Sequence, residues 1–166
     1  DDADGVLAAG VTNLATDRPA TEHGDPYVVR AGPRDAVAWA RTYQPAAPDG
    51  RASAVARVAD GYVVAGGEGD GSHDRPWAAH VDAHGTRGWT WRGDRAGDVN
   101  AAVGVPGGAV LCGSTWPPGA DVPAPRGSQE AAWIAELTAE GAVAWRWRVD
   151  RERGDRVEGL ARSPDG

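Results

Sequence analysis

The residues of this chain best suited to chemistry are acidic, imidazole and indole groups set among glycine-rich turns. Gly69-Asp70-Gly71-Ser72-His73-Asp74 is acidic and flexible. Such a loop could wrap a hard cation such as calcium through carboxylate and carbonyl oxygens. It lacks the spaced ligand series and the closing Glu of a calcium loop, so a structural turn is its plainer reading. His73, His80 and His84 invite a zinc site, but zinc needs three or four convergent ligands. Arg92-Gly93-Asp94 and Arg153-Gly154-Asp155 are adhesion-type tripeptides, yet each Gly-Asp also serves as an ordinary turn. Ser53, Ser72, Ser114, Ser128 and Ser163 sit in no nucleophile-elbow context. With no nucleophile–base pair, phosphate loop or paired carboxylates, no catalytic residue is assigned. No cofactor is expected beyond the calcium that the Asp70 loop could take.

The tryptophans organise the chain. Tyr27 and Trp39, Trp77 and Trp89, and Trp133 and Trp145 are three aromatic pairs, each twelve residues apart. Gly5, Gly61 and Gly108 each open an apolar run (VLAAG, YVVAG, AVLCG), and Gly166 ends SPDG much as Gly61 ends VADG. These glycines are 56, 47 and 58 residues apart, a period that points to propellers, solenoids or arrays. The chain is one repeat domain, 1–166, with segments 5–60, 61–107 and 108–166.

Each full repeat holds four short strands: A (Ser53–Val58), B (Tyr62–Gly67), C (Trp77–Asp82) and D (Thr86–Arg92). The A–B and C–D turns are short and end in Gly, as hairpins require. The order is B-C-D, A-B-C-D, A-B-C-D, A, which makes twelve strands. The last, Val157–Arg162, could complete the first blade. Ala131–Ala139 has helix-favouring composition, but its counterparts WAAHVDA and YVVRAGP make it a strand. Alternation puts Trp89 with Trp91, and Trp145 with Trp147, on shared faces packed between neighbouring sheets. His80 and His84 align with Glu136 and Glu140, which suggests solvent-side positions. Cys112 aligns with Ala9 and Ala65, as a small core residue would.

The pattern DGYVVAGG, an aromatic, then VDAHGTRGW resembles the β-propeller repeats of secreted haloarchaeal and bacterial surface proteins. Those read D-G-G-Y-V-V-A-G-S, D-A-W, L-D-x-x-G-x-x-x-W-x-x-T-Y, and Ala38-Trp39-Ala40-Arg41-Thr42-Tyr43 matches the ending. A weaker likeness is to quinoprotein repeats, whose C–D turn is one residue longer. The resemblance implies an all-β fold of four-stranded antiparallel propeller blades in three repeats. Closed propellers have about four to eight blades. Three repeats therefore imply part of a longer chain, a homodimer forming a six-bladed ring, or an open arc.

Net charge is −7, and all 17 basic residues are Arg. An acidic, lysine-free composition suits a halophile and argues against nucleic acid, which needs clustered positive charge. No apolar run reaches membrane-span length, so no membrane insertion is expected. Localisation outside the cell or on its surface follows from the resemblance.

In an antiparallel meander, the long B–C loops and D–A linkers fall at one end, opposite the tight turns. A site on a rigid scaffold belongs on that loop face. Its candidate binding residues are Asp70, His73, Asp74, Trp116 and Arg126. The expected function is a non-enzymatic scaffold that binds a protein or glycan there. The alternative is a quinone- or metal-dependent propeller enzyme.

Overall fold

The computed structural model describes residues 5–12, 24–32, 36–43, 49–69, 74–116, 130–149 and 154–163. Its described residues contain eleven strands and no helix: β1 (Val6–Thr12), β2 (Asp25–Ala31), β3 (Val37–Thr42), β4 (Asp49–Val58), β5 (Gly61–Gly69), β6 (Arg75–Asp82), β7 (Arg87–Arg92), β8 (Gly97–Val105), β9 (Gly108–Thr115), β10 (Ala131–Thr138) and β11 (Val143–Val149). They form three antiparallel meanders: β1-β2-β3, β4-β5-β6-β7 and β8-β9-β10-β11. The fold is therefore all-β, with the repeat boundaries falling between sheets.

The sheets stack face to face because each is apolar on both sides. Between the first and second lie Val28, Trp39 and Tyr43 from one side and Val64, Trp77, Ala79 and Val81 from the other. Between the second and third lie Ala54, Val63, Ala65 and Ala78 against Val99, Leu111, Trp133, Ala135 and Leu137. Much of this core is alanine and valine, so the sheets approach closely and the indoles fill the outer part of each gap.

Three sets of contacts recur from one junction to the next. The amides of Gly50, Gly97 and Asp155 occupy the same repeat position. They donate to the carbonyls of Gly24, Asp74 and Glu130, each at 2.8 Å. These bonds tie the starts of β4 and β8, and the segment around Asp155, to the sheet before each. The indole of Trp39 donates to the Ala83 carbonyl at 2.8 Å, and that of Trp89 to the Ala139 carbonyl at 2.6 Å. Each ring thus lies on the C–D turn of the following sheet. That turn carries a glycine at φ +84° (Gly85) or +82° (Gly141), where a Cβ would meet the ring.

The third set starts from a β-bulge. Ladder pairing skips Ser53 in β4 and Asn100 in β8. A bulge frees one residue from alternation and re-aims its side chain. Ser53 Oγ donates to the Val99 carbonyl of the next inner strand, and Asn100 Nδ2 donates to the Val157 carbonyl at 2.8 Å. Opposite the bulges stand Gly66 and Gly113, where a Cβ would overlap the carbonyl oxygens of Arg51 and Asp98.

The structure corrects three expectations. Residues 157–162 form no strand, and the first sheet has three strands. Val157 instead lies against the third sheet, held by Asn100 and by a 3.9 Å contact from Cys112 Sγ. It has no neighbouring ladder of its own to pair with. His80 is not a solvent-side residue: it faces the third sheet, 3.0 Å from Asp60 Oδ1 and with its ring centroid 6.1 Å from that of Trp89. Trp145 and Trp147 also depart from the expected packing, because the third sheet has no described sheet on its far side. Cys112 is buried, and burial pushes its thiol pKa up.

The C–D turns are built alike from different atoms. Asp82 Oδ1 accepts from the amides of His84 and Thr86, both at 2.8 Å. Thr138 Oγ1 accepts from those of Glu140 and Ala142, at 3.2 and 3.3 Å. The Thr86 and His84 amides hold the Asp82 carboxyl below its usual range. A depressed carboxyl contributes stability that is present above its unfolded pKa and is lost as pH falls through the folded value. Asp82→Thr should keep the turn while removing that acid-side loss, whereas Asp82→Ala should lower Tm at neutral pH. Thermal melts between pH 2 and pH 7 (a range spanning ordinary carboxylate titration) check both. Separately, Gly66→Ala should cost about 3 kcal/mol, the upper range for overpacking, read by urea denaturation.

Candidate functional site

The two inter-sheet junctions are built from equivalent positions, and they differ at one place. At the loop end of the first junction, Pro26, Tyr43, Glu68, Trp77, Arg87, Thr90 and Arg92 surround a space of only about 10 Å³. Tyr43 fills it, with its hydroxyl donating to the Gly85 carbonyl at 3.0 Å. Burial pushes the Tyr43 pKa up to about 12, so the ring stays neutral. Glu68, 6% exposed, takes a charge-assisted bond from Arg92 Nε. Trp77 Nε1 is satisfied by the carbonyls of Arg51 and Gly67, both at 3.1 Å.

At the second junction the repeat supplies Pro76 for Pro26, Trp133 for Trp77 and Arg148 for Arg92. It puts Gly93 where Tyr43 stood, Thr115 where Glu68 stood, and Arg146 where Thr90 stood. The result is a cavity of about 250 Å³ lined by these residues together with Trp91, Asp94 and Arg95. The absence of a phenol ring leaves the space open. A hydroxyl in place of a buried carboxylate removes a negative charge, and Arg146 adds a positive one.

Each wall has a local reason. Trp91 and Trp133 come from β7 and β10 on facing sides, with ring centroids 6.0 Å apart and planes tilted by 48°. Alternation along β11 turns Arg146 and Arg148 toward the second sheet and Trp145 and Trp147 away from it. Arg146 Nη1 donates to Asp94 Oδ1 at 3.1 Å, and both groups are exposed, so water screens that pair. The Trp133 indole nitrogen is buried without a partner among the described residues, unlike its counterpart Trp77. A buried donor left unmade costs about 1–3 kcal/mol, which an acceptor on a ligand could recover.

The cavity lies at the end where the B–C loops and D–A linkers emerge, since Pro76, Gly93–Arg95 and Thr115 all border those connections. Two of the sequence candidates are described at that end. Asp74 is 6% exposed, and Arg51 Nη1 holds its carboxylate at 2.6 Å. Arg51 also binds Asp98, linking the second and third sheets. The two carboxylates keep Arg51 firmly protonated, while burial pushes the Asp98 carboxyl up despite its partner. Trp116 is buried, and its amide donates to the Ala96 carbonyl at 3.0 Å. Neither Asp74 nor Trp116 lines the cavity. Asp70, His73 and Arg126 fall outside the described residues, as does most of the loop read for calcium. Among the described residues, no group of three or more His, Cys, Asp or Glu is arranged to hold a metal ion.

Sequence reasoning did not single out Trp133, Arg146 or Arg148 as a site, and it read Trp91 first as packing between sheets and only second as a stacking surface for a sugar or cofactor. The usable signal was the departure from the repeat at Gly93 and Thr115, not the recurring pattern around it. No protein-family model matches the chain, and comparison with curated proteins finds no match.

The internal comparison makes a direct prediction. Gly93→Tyr combined with Thr115→Glu should rebuild the first junction's filling at the second, with the introduced carboxylate reaching Arg148 as Glu68 reaches Arg92. We expect Tm to rise by several degrees, on the order of 1 kcal/mol for a buried hydroxyl and aromatic fill. A fall in Tm would show that the two junctions are not equivalent there.

Proposed function

We propose that the chain is a non-enzymatic, β-propeller-type scaffold at the cell surface or outside the cell, and that it binds an acidic glycan at the cavity between its second and third sheets. The carrying observation is the cavity itself: the same position that Tyr43 and the Glu68–Arg92 pair close at one junction is open and cationic at the other. Stacking of four-stranded meanders with one recurring set of junction contacts supports the propeller reading. The acidic, lysine-free composition supports a high-salt setting, and the repeat resemblance supports a place at or outside the cell surface.

The chemistry favours a carboxylated sugar. Arg guanidinium groups present forked donors that match a carboxylate in two parallel bonds. Indole surface at Trp91 and Trp133 offers an apolar wall for a ring's C–H face. The size suits a single ring with its substituents, not an extended segment of protein. The chain as a whole is acidic, so the three arginines of the cavity, one of them paired with Asp94, form a local attractor for an anion.

Titration calorimetry with galacturonate and glucuronate oligosaccharides, against neutral oligosaccharides of the same length, tests this. The acidic oligomers should bind and the neutral ones should not. Arg148→Ala should weaken binding by about tenfold or more, the usual effect of losing one charge-assisted contact. Thr115→Glu should abolish binding with the β-sheet circular dichroism unchanged. Equal binding of neutral and acidic oligomers, or full binding by the Thr115→Glu variant, would overturn the reading.

A further inference from the structure

The two outer faces of the stack are complementary halves of the same junction. On the third sheet, Trp145 and Trp147 are 45% and 53% exposed, although their counterparts in the second sheet, Trp89 and Trp91, pack against a neighbour. Beside them, residues 154–163 already occupy the place of a next inner strand. The Asn100 bond to the Val157 carbonyl repeats that of Ser53 to Val99, and the Asp155 amide bond to the Glu130 carbonyl repeats that of Gly97 to Asp74. A segment in the place of an inner strand is thus seated with no described sheet behind it.

The first sheet lacks that same element. In the second and third sheets, β5 and β9 each pair with an inner strand, β4 or β8, while the outer edge of β1 has no strand beside it among the described residues. Leu7 and Ala9 pack toward the second sheet, so alternation turns Val6 and Ala8 the other way, and Val6 is 69% exposed. Val28 also packs toward the second sheet, which sets Tyr27 and Val29 on the open face. Tyr27 and Val29 stand where Trp77 and Ala79 stand in the second sheet, the residues that pack on its predecessor.

We propose that the open face of the third sheet is an interface for a second copy of this chain. The second copy's β1-β2-β3 sheet packs on Trp145 and Trp147 and adds β1 alongside residues 157–162, completing a four-stranded sheet from two chains. The same junction formed reciprocally closes a pair with two identical interfaces, as two-fold symmetry requires. Two chains of three sheets give six, within the range of closed rings, whereas three chains would exceed it. This inference depends on the recurrence of the junction contacts and not on what the cavity binds.

Light scattering on the full chain, at concentrations from about 1 to about 100 µM, reads the association directly. The expected particle has twice the 17.2 kDa chain mass. Trp147→Asp on one half and Ala8→Asp on the other should each weaken association by about 100-fold, with β-sheet circular dichroism retained. Mixing the two variants should restore association through the one junction that stays intact. A single-chain mass at the highest concentration would overturn the proposal, as would a Trp147→Asp protein that still pairs, or a mixture that stays monomeric. The first of these is also the result expected if a further repeat of a longer polypeptide covers this face.

Discussion

The structure depends on one residue in each inner strand that leaves the ladder to bond to the next sheet. Ser53 and Asn100 are bulged out of pairing; Ser53 reaches the backbone of the following inner strand, and Asn100 reaches that of Val157. A strand in strict alternation points its side chains up or down from its own sheet, and nothing in that geometry fixes the rotation of the neighbour. The bulge does, because it turns a polar donor onto a specific carbonyl. Gly66 and Gly113 are the condition for it, since the doubled residue pushes a carbonyl into the space a Cβ would need. One hydrogen bond of this kind contributes only about 1 kcal/mol. Its weight lies in register: it sets where the apolar faces meet, and those faces supply most of the stability.

Outward from the bulge, each junction is closed by the indole on the last strand. Trp39 and Trp89 lie on the following C–D turn and donate to its carbonyl, so a turn that would otherwise face solvent becomes part of the packing. The glycines at positive φ in those turns serve two ends at once. They provide the left-handed backbone of the hairpin and leave room for the ring. Inner bulge and outer indole together fix both edges of the gap, and the alanine-rich middle can then be shallow.

A junction fixed at its two edges tolerates change at its loop end. Tyr43, Glu68 and Arg92 show one filling of that end, and Gly93, Thr115 and Arg148 show another that leaves it open. The stack does not depend on the filling, because the bonds from Gly97 and Trp89 hold the second junction as their counterparts hold the first. A repeat protein can therefore acquire a cavity by two substitutions in one copy without redesign of the fold. Two of the three arginines that border it come from β11, whose opposite face carries the exposed Trp145 and Trp147; one strand thus serves two different surfaces.

The sequence alone determined the all-β class, the three repeats and most of the strands, because alternation and turn glycines are local signals that need no partner to be read. The twelve-residue aromatic spacing likewise marked Trp39 and Trp89, which close the two junctions, along with Tyr27 and Trp145, which face outward. It could not reveal the bulges, since an extra residue in a strand of small residues leaves the local pattern almost unchanged. It also misplaced His80, whose alignment with Glu136 suggested solvent while Trp89 and Asp60 enclose it. Residues 157–162 read as a strand because their pattern matches one, but a strand exists only where a neighbouring edge accepts its hydrogen bonds. The cavity was equally hidden: Gly93 and Thr115 are ordinary residues in the sequence, and only their opposition across two sheets makes an open, cationic space. Local periodicity determined the elements, and non-local packing decided what each face of them meets.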